Sequence, residues 1–270
     1  MLQPHHHRIV AYVLAGAILC ALAVNYINRH YQPAKDFEQI TAEAPRVPSP
    51  NPPPTPKPAQ PTPNPGQPSP APSPTPAPPK TFLLKVPFTS QAPTANWDEL
   101  HNESCEEASA IMAYSYYQGE TKPTLPPAFV EQEITKLTQW EENHFGYHLD
   151  INSQETAQMV REVYGLNAKI LTNFSEDDIK TELNQNHLVL FPSNGKLLGN
   201  PNFRSPGPPY HMIVIKGYSS SQFITNDPGT RKGMNYPYSY TTLYNANGNF
   251  DHASHVVDLK DKNVIVVWPR

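Results

Sequence analysis

Residues 81–270 read as an α+β domain, N-terminal helices on a C-terminal antiparallel sheet, and three observations lead to that reading. Apolar residues recur at helical spacing through the first half of this region. From His187 onward they fall instead into short runs rich in Val, Ile, Phe and Tyr, bounded by Gly, Asn and Ser, which is the pattern of strands. Helices first and strands later indicate helices packed against an antiparallel sheet. Upstream of residue 81, no periodic apolar surface is available to join that core.

The upstream chain divides into two parts. Residues 1–30 contain the uncharged run Ile9–Ile27, which at roughly 19 residues is just long enough to cross a bilayer as a transmembrane helix. It reads as a membrane anchor. A cleaved signal peptide is the other reading, because Ala21-Leu22-Ala23 fits a small-x-small cleavage site. Both place the domain outside the cytoplasm. Arg8 before the run and Arg29 and Lys35 after it leave the orientation unsettled by charge. Residues 31–80 form a linker that holds about half of the 33 prolines. Such a disordered, Pro-rich tract makes no core and favours extended polyproline II. At ~3.1 Å per residue, the part from Pro45 to Pro79 spans on the order of 110 Å, a stiff spacer between membrane and domain.

Composition excludes several functions. The net charge is −4 with no basic block, so no nucleic-acid partner is expected. Of the two cysteines, Cys20 lies in the apolar run and only Cys105 in the domain. An internal disulfide and a multi-thiolate zinc site are thereby ruled out for the domain. A zinc site of His101, Cys105 and His211 can be drawn, but helix-start geometry opposes it, and no metal or cofactor is expected.

Within the domain, Phe82–Phe88 reads as a strand and Gln91–Glu103 as a polar loop carrying Trp97. A helix begins at Cys105, with Ser104 as N-cap, Glu107 completing a capping box, and Gly119 as the stop. Ala108, Ile111, Met112 and Ser115 share its buried face. Phe129–Trp140 has helical spacing. Asn152 with Glu155 opens the next helix, stopped at Gly165, and Ser175 with Asp178 opens another through Leu183. Ala168–Leu171, His187–Phe191, His211–Gly217, Gln222–Thr225 and Val264–Trp268 read as strands. Trp97 and Trp140 are expected to be packing residues, and His144, His148, His252 and His255 surface histidines. Gly195–Pro209 is a long loop, of the kind that serves as a lid or clamp.

Cys105 therefore lies in the first turn of a buried helix, where free N–H groups favour a thiolate. Glu106 and Glu107 oppose it, with their charges expected to be screened at an exposed helix start. His211 to Gly229 reads as a hairpin centred on Ser219, pairing Ile215 with Phe223, Ile213 with Thr225 and His211 with Asp227. Directly opposed residues share a face, so a carboxylate would stand beside an imidazole, although a slip of one residue would separate them. A carboxylate on one ring nitrogen frees the other for a nucleophile. Cys105 is the one thiol in the domain that could fill that role.

Val86-Pro87-Phe88-Thr89-Ser90-Gln91, Cys105-Glu106-Glu107-Ala108-Ser109, Tyr210-His211 leading to Gly217-Tyr218, and Asn226-Asp227-Pro228-Gly229-Thr230 resemble, in that order, the peptidase C-39-like family. The resemblance covers nearly all of Phe82–Arg270. It implies a papain-like cysteine peptidase fold, with Cys105 as nucleophile, His211 as general base and acid, and Asp227 as the orienting residue. It further implies that Gln91 contributes its side-chain amide to an oxyanion hole beside the Cys105 N–H. The gap from Gln91 to Cys105 is longer than in the bacteriocin-exporter relatives. No ATP-binding sequence accompanies the domain, so the bacteriocin-leader substrate is not carried over.

The expected protein is a membrane-tethered, extracytoplasmic cysteine hydrolase with a monomeric domain, cleaving a peptide through a thioester. A transglutaminase-like acyltransferase uses the same residue types. A non-catalytic cell-surface binding module on the same fold is the third reading.

Overall fold

The computed structural model describes residues 79–270. The expected anchor, and the linker up to residue 78, lie outside the described residues. Among those described, no helix is long and apolar enough to cross a membrane.

The described residues contain seven helices: α1 (Glu99–Asn102), α2 (Cys105–Tyr117), α3 (Pro127–His144), α4 (Ser153–Tyr164), α5 (Glu176–Asn184), α6 (Gly195–Leu198) and α7 (Tyr240–Ala246). The strands are β1 (Phe82–Leu83), β2 (Asn167–Thr172), β3 (Leu188–Ser193), β4 (His211–Tyr218), β5 (Gln222–Asn226), β6 (Tyr236–Ser239), β7 (Asn249–Asp251), β8 (Val256–Asp258) and β9 (Asn263–Trp268). The main sheet runs β2-β9-β3-β4-β5-β6, with β1 also on β4, and β7 and β8 form a separate hairpin. All of these pairings are antiparallel. The mixed helix-and-antiparallel-sheet architecture expected from the sequence is thus present.

Helix α2 is the central element. It is buried on nearly every side from Cys105 to Ala113, as a helix between two layers must be. Ala108, Ala110 and Ala113 and the small Ser109 let it approach β4 closely, and the Ser109 hydroxyl donates to the Met212 carbonyl at 3.3 Å. Ile111 and Met112 are fully buried, each contributing about 1.5–3 kcal/mol by leaving water.

Most helix boundaries follow their local signals. Asn152 and Glu155 form a reciprocal capping box on α4, and Gly165 closes it at φ 65°. Ser175 and Asp178 do the same for α5. The expected box on α2 is absent. Ser104 occupies the N-cap without a side-chain cap bond, because its hydroxyl turns back to the Leu100 carbonyl at 2.7 Å. Glu107 points into the core instead, 1% exposed.

The expected long first strand is two residues, β1, after which the chain is held by scattered backbone bonds and by side chains. Lys216 Nζ donates to the Val86 carbonyl at 3.1 Å, and Asn226 Nδ2 donates to the Val86 and Pro87 carbonyls. The Gln91 N–H donates to the Pro228 carbonyl at 3.0 Å. This stretch is stitched across β4 and the end of β5, which delivers Gln91 to the chain just ahead of α2.

The β4–β5 register differs from expectation. Tyr218 pairs with Phe223 and Gly217 with Ile224, then Ile215 with Thr225 and Val214 with Asn226, with a bulge between Ile215 and Gly217. The turn spans Ser219–Gln222, closed by the Ser219 N–H on the Gln222 carbonyl, so it is centred later than Ser219. Without the bulge, the later centre would be a slip to the opposite face. The extra residue, Lys216, corrects the phase. Extended one step, the ladder sets Asp227 opposite Ile213, on the same face as His211 and diagonal to it.

Candidate active site

His211 opens β4 and Asp227 directly follows β5, so the bulged ladder brings them to one end of the sheet. His211 Nε2 and Asp227 Oδ1 are 2.8 Å apart, and both residues are buried. The imidazole N–H is assigned to Nε2, since the carboxylate only accepts. That leaves Nδ1 as the ring nitrogen with a lone pair for a second partner.

Asp227 is held by more than the histidine. Oδ1 also accepts the Gly229 N–H at 3.0 Å. Oδ2 accepts from Asn200 Nδ2 at 2.9 Å and from the Tyr238 hydroxyl at 2.6 Å. Burial works to raise the carboxyl pKa, but His211, Tyr238 and Asn200 outweigh it and hold the group below the usual carboxylate range. Asn200 and Tyr238 were missed from the sequence. They lie in the loop before β4 and in β6, and no spacing rule links them to Asp227. Asn200 ties the long loop to the carboxylate, and the Phe203 ring meets the His211 ring edge-on at 5.2 Å.

Gly229 allows this approach. A Cβ there would lie 2.8 Å from His211 Cε1 and 2.9 Å from the Phe203 ring. Gly229→Ala is therefore expected to displace the His211 ring from Asp227 while leaving the sheet intact. The check is imidazole NMR. The downfield ring N–H signal should weaken or shift, while backbone amide signals of β3 and β9 stay put.

Cys105 sits at the first position of α2, 3% exposed. Its sulfur accepts the Met212 N–H at 3.3 Å, one residue along β4 from His211. Its thiol donates to Glu106 Oε2 at 3.0 Å. Burial, then Glu106, pushes the thiol well above its ordinary range, and the Met212 N–H pulls the other way. The expectation that Glu106 and Glu107 stand at a solvent-exposed helix start is wrong. Glu106 is 0% exposed and Glu107 1%, because α3 covers this side of α2. Glu141 of α3 is also fully buried.

Gln91 lies beside the start of α2, and its Nε2 donates to the His101 and Asn102 carbonyls, both at 2.9 Å. Both amide hydrogens are therefore in use. His101 is buried with Nδ1 on Asp98 at 2.6 Å and Nε2 on Glu131 at 2.8 Å. Burial lowers its pKa, but the two carboxylates outweigh this and raise it. With both ring nitrogens taken, His101 clamps the loop rather than facing Cys105. Trp97, expected to be a packing residue, is 40% exposed on the same loop. Among the described residues, no group of three or more His, Cys, Asp and Glu side chains could hold a metal ion.

A thiol at a helix start, bonded to the residue that follows His211 on β4, and a histidine–carboxylate pair at the end of the same sheet are the residue types that thiol chemistry uses. The chain belongs to the Peptidase_C39 like family, whose model matches residues 83–254. No curated protein matches. Among solved structures, the chain is similar to a protein described as a C39-like peptidase from Bacillus anthracis, at 16% identity and TM-score 0.46, over 71% of this chain and 99% of that one. It is also similar to a double glycine motif protease from an AMS/PCAT transporter, solved with its leader peptide, at 16% identity and TM-score 0.36, over 70% and 94% of the two chains. A third similar structure is UfSP from C. elegans, at 13% identity and TM-score 0.37, covering 70% of this chain and 34% of that one.

Proposed function

We propose that this protein is a cysteine peptidase, tethered to a membrane by residues 1–30 and acting outside the cytoplasm through a monomeric domain. The observation that carries the reading is the buried His211–Asp227 pair at 2.8 Å, with the Cys105 sulfur bonded to the adjacent Met212 N–H. Membership of a peptidase family supports a peptide substrate.

In this reading His211 Nδ1 takes the thiol proton, and the sulfur attacks the carbonyl carbon of the scissile amide. The tetrahedral oxyanion collapses, His211 gives its proton to the leaving amine, and a thioester remains on Cys105. Water, deprotonated by His211, then releases the acid and the free thiol. Asp227 keeps the imidazole oriented and stabilises the imidazolium that forms during the reaction. The Cys105 N–H and Gln91 are the oxyanion donors, and one such donor is worth ~3 kcal/mol in the transition state. Gln91 must first exchange one of its two carbonyl partners for the oxyanion. Because the sulfur is buried, whatever covers it must yield for a substrate to enter.

Iodoacetamide labelling followed by peptide mapping tests the nucleophile. Burial holds the resting thiol high, so alkylation of Cys105 in folded wild-type protein is expected to depend on His211 taking the thiol proton, and His211→Ala to lose that reactivity. Incubation with a peptide library should give cleavage that Cys105→Ala abolishes. Conjugation to an added amine in place of cleavage would make the protein an acyltransferase. A Cys105 that reacts only after unfolding would leave a binding module.

A further inference from the structure

We infer that Glu106 is an additional catalytic residue: as a neutral carboxylic acid it donates a hydrogen bond to the Cys105 sulfur and supports the thiolate that His211 generates. The inference rests on Cys105 being the nucleophile. Its basis is the geometry on the inner side of the sulfur. Glu106 Oε2 is 3.0 Å from Cys105 Sγ, Glu106 is 0% exposed, and its Oε1 has no hydrogen-bond partner.

The surroundings decide the protonation state. The groups facing Glu106 are Cys105 and Glu107 from α2, Glu141 from α3, Asp150 from the α3–α4 connection, and Tyr210 ahead of β4. All of them are acids. None of the ion pairs among the described residues involves Glu106. An anion here would be buried without a partner, which costs several kcal/mol. Burial first, then Glu107 and Asp150, accordingly pushes the Glu106 carboxyl well above its usual range.

A protonated carboxyl has one O–H to give, and the sulfur is its near neighbour. The sulfur already receives the Met212 N–H at 3.3 Å, so once the thiol proton has left, two donors can converge on one atom. A neutral thiol needs neither, whereas a thiolate needs both. When the thiol proton passes to His211 Nδ1, Glu106 keeps its own proton and turns it to the sulfur. No proton leaves the site, and thiolate and imidazolium form together. Ionisation of Glu106 reverses the effect, because its carboxylate would then face the thiolate at contact distance.

Two signatures follow for the rate of Cys105 alkylation by iodoacetamide, measured on the full chain with circular dichroism as the folding check. In wild type the rate should be high at mildly acidic pH and fall as Glu106 ionises, whereas a free thiol reacts faster throughout that rise. Glu106→Gln keeps a weaker, non-titrating donor. It should react roughly threefold to tenfold more slowly near pH 6 and lose the alkaline fall. Glu106→Ala has no donor, so it should lose about tenfold or more near pH 6 and follow the free-thiol profile. If Cys105 is reactive but wild type and Glu106→Ala share one profile, this inference is overturned and the nucleophile stands. Inactivation by Glu106→Gln as complete as by His211→Ala would make Glu106 the base and equally overturn it. An inert Cys105 in folded wild type overturns the nucleophile reading itself. Should Glu106→Ala not fold, the wild-type thiolate absorbance decides: a band that weakens with rising pH supports the inference, and one that only grows refutes it.

Discussion

Asp227→Ala should both silence Cys105 and destabilise the domain by about 3–5 kcal/mol, the range for leaving a buried charge-paired network without its anion. Four donors converge on this carboxylate: His211 Nε2, the Gly229 N–H, Asn200 Nδ2 and the Tyr238 hydroxyl. Asp227 is 0% exposed, and Asn200 and Tyr238 are 5% and 4% exposed, so water cannot replace it without opening the site. Each donor left unpaired costs about 1–3 kcal/mol, less whatever the site recovers by relaxing. Asp227→Asn is a milder change. Its Oδ1 can still accept from His211 and Gly229, but its amide cannot stabilise an imidazolium as an anion does. Hydrogen bonds to charged groups exceed neutral ones by ~1–2 kcal/mol, so alkylation of Cys105 should fall roughly fivefold to thirtyfold while the fold survives. Urea unfolding and iodoacetamide kinetics on both variants separate the two effects. A purely structural Asp227 would lower the unfolding midpoint in both without changing the reactivity of the folded molecules. Acid provides a second check. Because the folded carboxyl pKa lies below its ordinary value of 3.8, this stabilisation is present above about pH 4 and is lost as pH falls through the folded value.

The sequence revealed the parts of this site that depend on local rules. Asn152 with Glu155 and Ser175 with Asp178 close the capping boxes that their spacing implies, and α2 starts at Cys105 as its flanking residues suggest. The His211–Asp227 pair was reached from a register wrong in detail. The turn is centred later than expected, and the bulge at Lys216 restores the phase, so the two departures cancel at Asp227. A bulge leaves little trace in an apolar alternation, which is why neither departure was visible. The Glu106-Glu107 pair was misread for a different reason. Two acids in a first turn normally complement the helix dipole at the surface, and only the packing of α3 over α2 buries them. Asn200 and Tyr238 were beyond reach, since their partner is Asp227 through space. The short helices α1 and α7 and strand β6 carry too few residues for periodicity to register.

Those buried acids set the second large effect, an alkaline loss of stability. Glu107 and Glu141 are 1% and 0% exposed, and as two carboxylates neither could donate to the other. As carboxylates all four of their oxygens lack a hydrogen-bond partner, and a proton on either group would turn it into a donor. Burial is the largest cause in both cases; it pushes Glu107 up to about 8 and, with Glu107 and Glu106 adding, Glu141 up to about 12. Asp150, half-buried beside Glu103, is pushed up to about 7, first by desolvation and then by Glu103. In the unfolded chain these glutamates ionise near 4.5. Above that value the folded state binds more protons than the unfolded one, so stability falls as pH rises. Each carboxyl that stays protonated costs about 1.4 kcal/mol per pH unit until its folded value is reached. With Asp227 limiting stability on the acid side, the maximum should lie at mildly acidic pH, and the urea midpoint should drop steadily toward pH 8. Glu141→Gln removes one proton from this balance. Its amide can donate to the Glu107 carboxylate without titrating, so the variant should be more stable than wild type at alkaline pH and show a shallower slope. A wild-type midpoint that stays level across this range, or a Glu141→Gln slope as steep as the wild type's, would mean that the cluster is hydrated and ionised rather than proton-bound.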